Sequence, residues 1–215
     1  MAQFEVKDGI AIIPEGTTCI EREAFLGCSS LESVTIPESV TEIGDNAFSG
    51  CRKLTAITIP DSVTWIGESA FDDCTSLASV TIPESVTEIV RSAWPVLMHA
   101  FSGCKSVESI VVAEGNPVYD SREGCNAIIE TETNTLIASC KTTFIPESVT
   151  RIGQYAFSGC TSPKNITIPE GVIYIGERAF MDCTSLEGIT IPTSVKEIET
   201  IAFCNCSSLK EGTIL

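Results

Sequence analysis

Three observations point to a repeat solenoid, mainly β: a curved rod of parallel β-sheet with about nine 23-residue turns, a central 7-residue insertion and a β-hairpin interruption. First, Ile-Pro returns at Ile13, Ile36, Ile59, Ile82, Ile145, Ile168 and Ile191. Val112-Ala113 fills one gap and Ile214-Leu215 closes the series, so the steps are 23, 23, 23, 30, 33, 23, 23 and 23 residues. Second, Ala-Phe-x-x-Cys keeps the same rhythm at Phe25/Cys28, Phe48/Cys51, Phe71/Cys74, Phe101/Cys104, Phe157/Cys160, Phe180/Cys183 and Phe203/Cys206; in the fourth, seven extra residues separate Ala93 from Phe101. Third, each period carries a short alternation of β-prone apolar and small polar residues, which is strand patterning rather than helix patterning.

The elements follow in chain order. The opening Met1-Ala2-Gln3-Phe4-Glu5 has no basic region followed by an apolar core, so no secretion signal is expected there. Residues 1–14 read as an N-terminal hairpin cap turning at Asp8-Gly9, positioned to cover the first coil. Residues 15–112 form the first repeat block. Within each repeat, Leu31-x-x-Val34-x-Ile36 and its counterparts Leu54/Ile57/Ile59, Leu77/Val80/Ile82, Val107/Ile110/Val112 and Leu186/Ile189/Ile191 make a short strand. Proline ends it, because proline has no N–H to donate to a ladder.

The next stretch, Ser39–Gly44, Ser62–Gly67 and Ser148–Gly153, points its valine and isoleucine inward, and its glycine permits a sharp bend. Ala-Phe-x-x-Cys then fills the core. Strands one repeat apart stack in parallel roughly 4.8 Å apart, so no coil buries its apolar residues alone and stability comes from stacking. Residues 113–144 are irregular. Asn126-Ala127-Ile128-Ile129 and Thr135-Leu136-Ile137-Ala138, around the turn Glu132-Thr133-Asn134, read as a hairpin that projects from the rod or extends its sheet. Residues 145–215 form the second block, and Thr213-Ile214-Leu215 leaves a strand edge that fits truncation or self-association with another copy.

The repeat unit Leu-x-x-Ile-x-Ile-Pro-x-Ser-Val-x-x-Ile-Gly-x-x-Ala-Phe-x-x-Cys resembles the BspA-like, or Treponema-type, leucine-rich repeat over residues 10–112 and 140–215. That resemblance implies a leucine-rich-repeat solenoid with a binding role and no catalysis, in a bacterial surface or secreted protein of the adhesion type. It also makes Asn116–Ser121 and Asn126–Ile137 the hairpin interruption that such proteins often carry. The chain departs from the pattern where Glu21, Val90 and Glu199 replace the glycine, Pro163 replaces the strand leucine and Cys140 takes another leucine slot.

Composition narrows the function. The 215 residues hold 13 Lys plus Arg against 29 Asp plus Glu, a formal net charge of −16. Nucleic acid and anionic membrane both require a basic footprint, so neither is expected as a partner. A single histidine, His99, removes mechanisms that need two. No apolar run reaches the roughly 18–20 residues of a membrane span. Ser-His-Asp sets, phosphate-cradling glycine loops and zinc-spaced ligands are all absent, so an enzyme, a cofactor and a metal are not expected. Seven of the eleven cysteines share one repeat slot, which reads as a ladder of small buried apolar thiols in preference to a metal or disulfide ladder. Cys125 and Cys140 flank the hairpin as the pair best placed for a disulfide, while Cys19 and Cys204 fall on exposed slots. The acidic ladder Glu38, Asp61, Glu84, Glu147 and Glu170 reads as a solvated face, since one carboxylate per coil spreads the oxygens that calcium needs around one point.

The candidate site is the insertion Trp94-Pro95-Val96-Leu97-Met98-His99-Ala100, which separates Ala93 from Phe101. Trp65 stands on the outward slot that Glu42 and Glu88 occupy in the flanking repeats. Trp65, Trp94, Val96, Leu97, Met98 and His99 are therefore expected to form a partner-binding patch, tryptophan being enriched at binding hot spots. The competing reading tucks Trp94 or Leu97 against the neighbouring coil, and a natural insertion and a grafted peptide would look alike. The expected function is a non-catalytic protein-binding module, extracellular or at the cell surface. The alternative is a structural spacer or adhesion element of a larger surface protein.

Overall fold

In a computed structural model, residues 4–90, 100–162, 164–210 and 213–214 are described. The chain is nearly all β, a solenoid of about 8 turns against the nine counted from the Ile-Pro series. Within residues 113–144 two strand pairs run antiparallel, Tyr119–Asp120 with Ala127–Glu130 and Ala127–Glu130 with Thr135–Ser139.

Most coils contribute two short strands on different sides of the rod. On one side, Ile10–Ile12 pairs in parallel with Ser33–Thr35, Ser79–Ile82 with Ser109–Val112, and Asn165–Thr167 with Gly188–Ile191. The partners Ala11↔Val34 and Ile166↔Ile189 are one 23-residue repeat apart, and Val80↔Ile110 spans the 30-residue repeat. Register therefore equals repeat length, so like stacks on like. Of the outward residues on this side, Ser33, Thr35, Ala56, Thr58, Ser79, Thr81, Val111, Asn165 and Thr167 are exposed, whereas Ser109, Gly188 and Thr190 are half-buried. The stretch Ala56–Ile59 forms no ladder pair, which divides this side of the rod, although Ile57 and Ile59 still point into the core.

On the second side, Cys19–Ile20, Glu42–Ile43, Trp65–Ile66 and Glu88–Ile89 make a four-stranded parallel sheet. A six-stranded sheet follows in the order Tyr119–Asp120, Ala127–Glu130, Thr135–Ser139, Arg151–Ile152, Tyr174–Ile175, Glu197–Ile198.

The phenylalanine slot forms stacked columns. Ring centroids lie 5.7, 5.1, 5.4 and 5.3 Å apart along Phe4, Phe25, Phe48, Phe71 and Phe101, and 4.9 and 5.1 Å apart along Phe157, Phe180 and Phe203. Such offset stacking adds about 0.5–1.5 kcal/mol per pair beyond area burial. The thiols form the ladder expected, although only Cys51, Cys74 and Cys183 are fully buried while Cys28, Cys104, Cys160 and Cys206 are half-buried. Cys51, Cys74, Cys104, Cys183 and Cys206 each donate Sγ–H to the phenylalanine carbonyl of the preceding coil at 3.0–3.2 Å. All eleven cysteines are free, Cys125 and Cys140 included. Cys140 donates to Asn126 O at 3.3 Å instead of bonding to Cys125. Cys19 and Cys204, expected to be exposed, are half-buried.

Two backbone features differ from expectation. The Ile-Gly glycines do not mark a positive-φ bend; at Gly44 and Gly67 a Cβ would lie 2.6 and 2.5 Å from the backbone N of Arg22 and Asp45 in the preceding coil. Glycine is required there so that consecutive coils can touch. The left-handed residue is instead the one before each core alanine: Glu23, Asn46, Ser69, Tyr155, Arg178 and Ile201 all have φ between 53° and 61°. Bonds to the next coil, such as Glu23 N–H to Asp45 O at 2.8 Å and Asn46 N–H to Glu68 O at 2.8 Å, hold that conformation regardless of side chain. The cap turn is as expected, with Asp8 and Gly9 at φ 51° and 79° in the two-residue hairpin Val6–Lys7/Ile10–Ile12.

The interruption is a partition. Ala127–Glu130 and Thr135–Ser139 pair antiparallel, and Thr135-Leu136 then pairs in parallel with Arg151-Ile152, so the hairpin extends the sheet. It does not project: Ala127, Ile128, Ile129, Leu136, Ile137 and Ala138 are all buried. Ile128, Ile137 and Ala138 face one apolar cluster with the first block, whereas Ala127, Ile129 and Leu136 face a second cluster with the second block. The interior is thus two clusters separated by one two-faced hairpin. On the opposite side the coils stack directly, with Gly159 lying against Gly103.

Candidate partner-binding surface

Trp65 owes its position to strand alternation. Ile66 is fully buried, so Trp65 points outward from the short-strand sheet, where its ring is half-buried. Register places Cys19, Glu42, Trp65 and Glu88 in one row across four strands. Glu42, Thr64, Trp65, Thr87 and Glu88 line an open cleft of about 260 Å³. The two threonine hydroxyls are turned to the preceding coil, bonding Thr41 O at 3.4 Å and Thr64 O at 3.5 Å, which leaves the indole and the two carboxylates as its chemistry.

The remaining site residues from the sequence, Trp94, Val96, Leu97, Met98 and His99, lie outside the described residues. The ends of that segment are described. Val90 N–H donates to Ile66 O at 2.9 Å, and the coil resumes at Ala100, whose carbonyl accepts from Phe71 N–H at 2.8 Å. Ala47 and Ala70 make the same bond to Phe25 and Phe48. Ala100, counted above with the extra residues, therefore occupies the core alanine slot and is buried. The departing chain leaves from the coil after Trp65, next to the strand of Glu88.

Polar side chains near this surface rebuild the ladder that the interruption breaks. Tyr119 Oη accepts from Ile89 N–H at 2.9 Å, and Ser121 Oγ accepts from Val112 N–H at 2.9 Å. Asn116 Nδ2 donates to Pro83 O and Val86 O at 2.8 Å, while its Oδ1 accepts from Val118 N–H at 2.9 Å and Tyr119 N–H at 2.8 Å. The sequence placed these residues in the interruption but did not reveal their bonds, since each stands outside the repeat and carries no periodic signal.

The second block holds a related row that was also missed. Arg151, Tyr174 and Glu197 are in register on adjacent strands, and the Arg151 guanidinium sits 3.8 Å from the Tyr174 ring centroid. The signal was present: Arg151 and Tyr174 stand one repeat apart on the slot of Glu42 and Trp65.

Three of the buried or half-buried thiols are muted. Burial pushes Cys51 up to about 12 and Cys125 and Cys160 up to about 11, so these thiols stay protonated at neutral pH and are poor nucleophiles. Asp72 is lifted to about 7 by burial and then by the neighbouring Asp73. Among the described residues no cluster of three or more His, Cys, Asp or Glu could hold a metal ion, and no helix is long and apolar enough to cross a membrane. The acidic ladder Glu38, Asp61, Glu84, Glu147 and Glu170 is exposed along its length.

The chain resembles several bacterial proteins of known structure. It is 30% identical to a leucine-rich cell surface protein from Faecalibacterium prausnitzii, covering 91% of this chain and 63% of that one with a TM-score of 0.64. A leucine-rich repeat protein from Bacteroides ovatus is 32% identical, covering 93% of this chain and 47% of that one at a TM-score of 0.61. One from Eubacterium ventriosum shares the fold at 24% identity and a TM-score of 0.70, covering 94% of this chain and 59% of that one. The chain thus spans about half to three-fifths of the length of these relatives. No curated protein matches the sequence. The model of the BspA type leucine rich repeat region matches six copies across residues 9–116 and 128–215. With its coils, thiol ladder and phenylalanine columns in place over most of its length, the chain belongs to the BspA-type leucine-rich repeat family.

Proposed function

We propose that the chain is a non-catalytic protein-binding module of a bacterial surface or secreted protein, and that it contacts its partner on the short-strand sheet around Trp65 together with the insertion residues Trp94, Val96, Leu97, Met98 and His99. The observation that carries this reading is Trp65 itself. Among the described residues of a rod whose outward slots are otherwise mainly small or charged, a large indole stands on a flat sheet face, half-buried and without a packing role in either apolar cluster. Aromatic side chains so placed are the usual anchors of binding hot spots. Family membership supports an interaction or adhesion role, and the cell-surface relative from F. prausnitzii supports the location.

The test is binding of the chain to a panel of purified extracellular-matrix and serum proteins by biolayer interferometry. Trp65→Ala and a variant lacking residues 94–99 are run alongside. Saturable binding that both changes weaken at least tenfold, with the circular dichroism spectrum unchanged, is the expected result. Binding untouched by either change overturns this location, and absence of binding throughout returns the spacer reading.

A further inference from the structure

The Trp65 cleft has a definite chemistry, and the repeats supply an internal comparison for it. Trp65 and Tyr174 occupy one slot, the outward residue of a two-residue strand whose inward neighbour is Ile66 or Ile175. Around Tyr174 the preceding coil supplies Arg151, stacked 3.8 Å over the ring, and the following coil supplies Glu197. At Tyr174 the aromatic residue of this slot thus carries a guanidinium on its face, with a carboxylate in the same row. Around Trp65 the preceding coil supplies Glu42 and the following coil Glu88, so the row holds an aromatic ring and two carboxylates. Among the described residues, no cation lies over the indole and neither carboxylate is ion-paired.

We infer that the Trp65 cleft takes an arginine side chain from a basic segment of the protein partner, the guanidinium occupying over Trp65 the position that Arg151 fills over Tyr174. This rests on the reading that the partner meets this face. Indole is the strongest of the side-chain rings for a cation. A guanidinium is planar and weakly hydrated, so it stacks on a ring while its edge N–H groups remain free for carboxylates. Glu42 and Glu88 stand on the strands flanking Trp65, each roughly 4.8 Å away along the rod, within reach for charge-assisted hydrogen bonds. The formal charge of −16 raises the local concentration of basic segments before contact. An apolar occupant would strip water from two carboxylates and return nothing to them.

The test is calorimetric titration of the full chain with hexa-arginine peptide at low salt, beside its uncharged hexa-citrulline isostere. Four variants are compared: Trp65→Leu, Trp65→Phe, the pair Glu42→Gln/Glu88→Gln, and the pair Glu38→Gln/Asp61→Gln, which removes the same charge from the exposed acidic ladder. Hexa-arginine is expected to bind saturably, and the citrulline peptide at least about tenfold more weakly. Trp65→Leu and Glu42→Gln/Glu88→Gln should each weaken binding about fivefold or more. Trp65→Phe should recover part of the loss, and Glu38→Gln/Asp61→Gln should stay within about twofold. Equal weakening by the two charge pairs reduces the attraction to overall acidity and overturns the inference. Binding indifferent to Trp65→Leu, or as strong with citrulline, also overturns it. The titration reads the cleft directly, so partner binding that ignores Trp65 sinks the location proposed above, whereas an arginine peptide that ignores Trp65 sinks the cationic occupant.

Discussion

Replacing Asn116 by alanine tests whether single polar side chains hold the broken ladder together. Asn116 uses its whole hydrogen-bonding capacity across the junction, with two donations to Pro83 O and Val86 O and two acceptances from the Val118 and Tyr119 amides. Four bonds at about 0.5–1.5 kcal/mol net each bound the loss at about 2–6 kcal/mol. The side chain is half-buried, so water re-satisfies part of the deficit and the expected loss is about 2–3 kcal/mol. In a chain of this length that corresponds to a fall of roughly 4–12 °C in Tm. The assay is urea denaturation followed by circular dichroism, with hydrogen exchange at the Val118 and Tyr119 amides as the local reporter. Asn116→Asp sharpens it: the acceptor survives, but the donor becomes a second oxygen facing two carbonyls. At pH 7 this change should destabilise at least as much as alanine. The deficit should shrink near pH 3, where the carboxyl is protonated and can donate. A loss under about 0.5 kcal/mol for Asn116→Ala, or a neutral Asn116→Asp at pH 7, would refute the reasoning.

Further outcomes follow from the same structure. Phe48→Ala removes a fully buried ring stacked on both sides and should lose about 3–5 kcal/mol. Phe203→Ala, half-buried with one stacked neighbour among the described residues, should lose about half as much in the same denaturation assay; equal losses would contradict stacking as the source of stability. Asp72 has its folded-state pKa raised to about 7, so its contribution is fully present below the unfolded value of about 4 and is lost as pH rises through 7. Asp72→Asn should therefore match the parent's Tm near pH 4 and exceed it at pH 8, as read by thermal melts at both. Ile201 is an exposed, β-branched residue at φ 53°, so Ile201→Asn should stabilise the chain by about 1 kcal/mol in urea, since asparagine tolerates that conformation.

The parts of the fold that repeat were legible. Phe25, Phe48 and Phe71 recur at the spacing that the ladders use as register, so their stacking could be read before any coordinates. Asp8-Gly9 carries its hairpin in two residues. Other features had signals that were open to more than one reading. The runs Ala127-Ile128-Ile129 and Leu136-Ile137-Ala138 lack polar alternation, which is how strands buried on both faces look, so a projecting hairpin was the wrong alternative. Ala93 and Ala100 fit the alanine slot equally well on paper, and only the bond from Phe71 N–H selects Ala100. The left-handed residue before each alanine was hidden, because Glu, Asn, Ser, Tyr, Arg and Ile share no side-chain property.

The candidate site divides in the same way. That Trp65 faces outward between Glu42 and Glu88 follows from a two-residue alternation and a fixed repeat, both written in the chain. That Asn116, Tyr119 and Ser121 close the ladder beside it, and that Arg151 lies on Tyr174 in the matching row, follows from three-dimensional packing. Translational repetition lets each coil inherit its neighbours from spacing alone, so sequence by itself determined the rod, its register and the columns within it. Where the repetition breaks, each polar group takes whatever partner the surrounding backbone leaves unpaired, and only the tertiary structure decides which one that is.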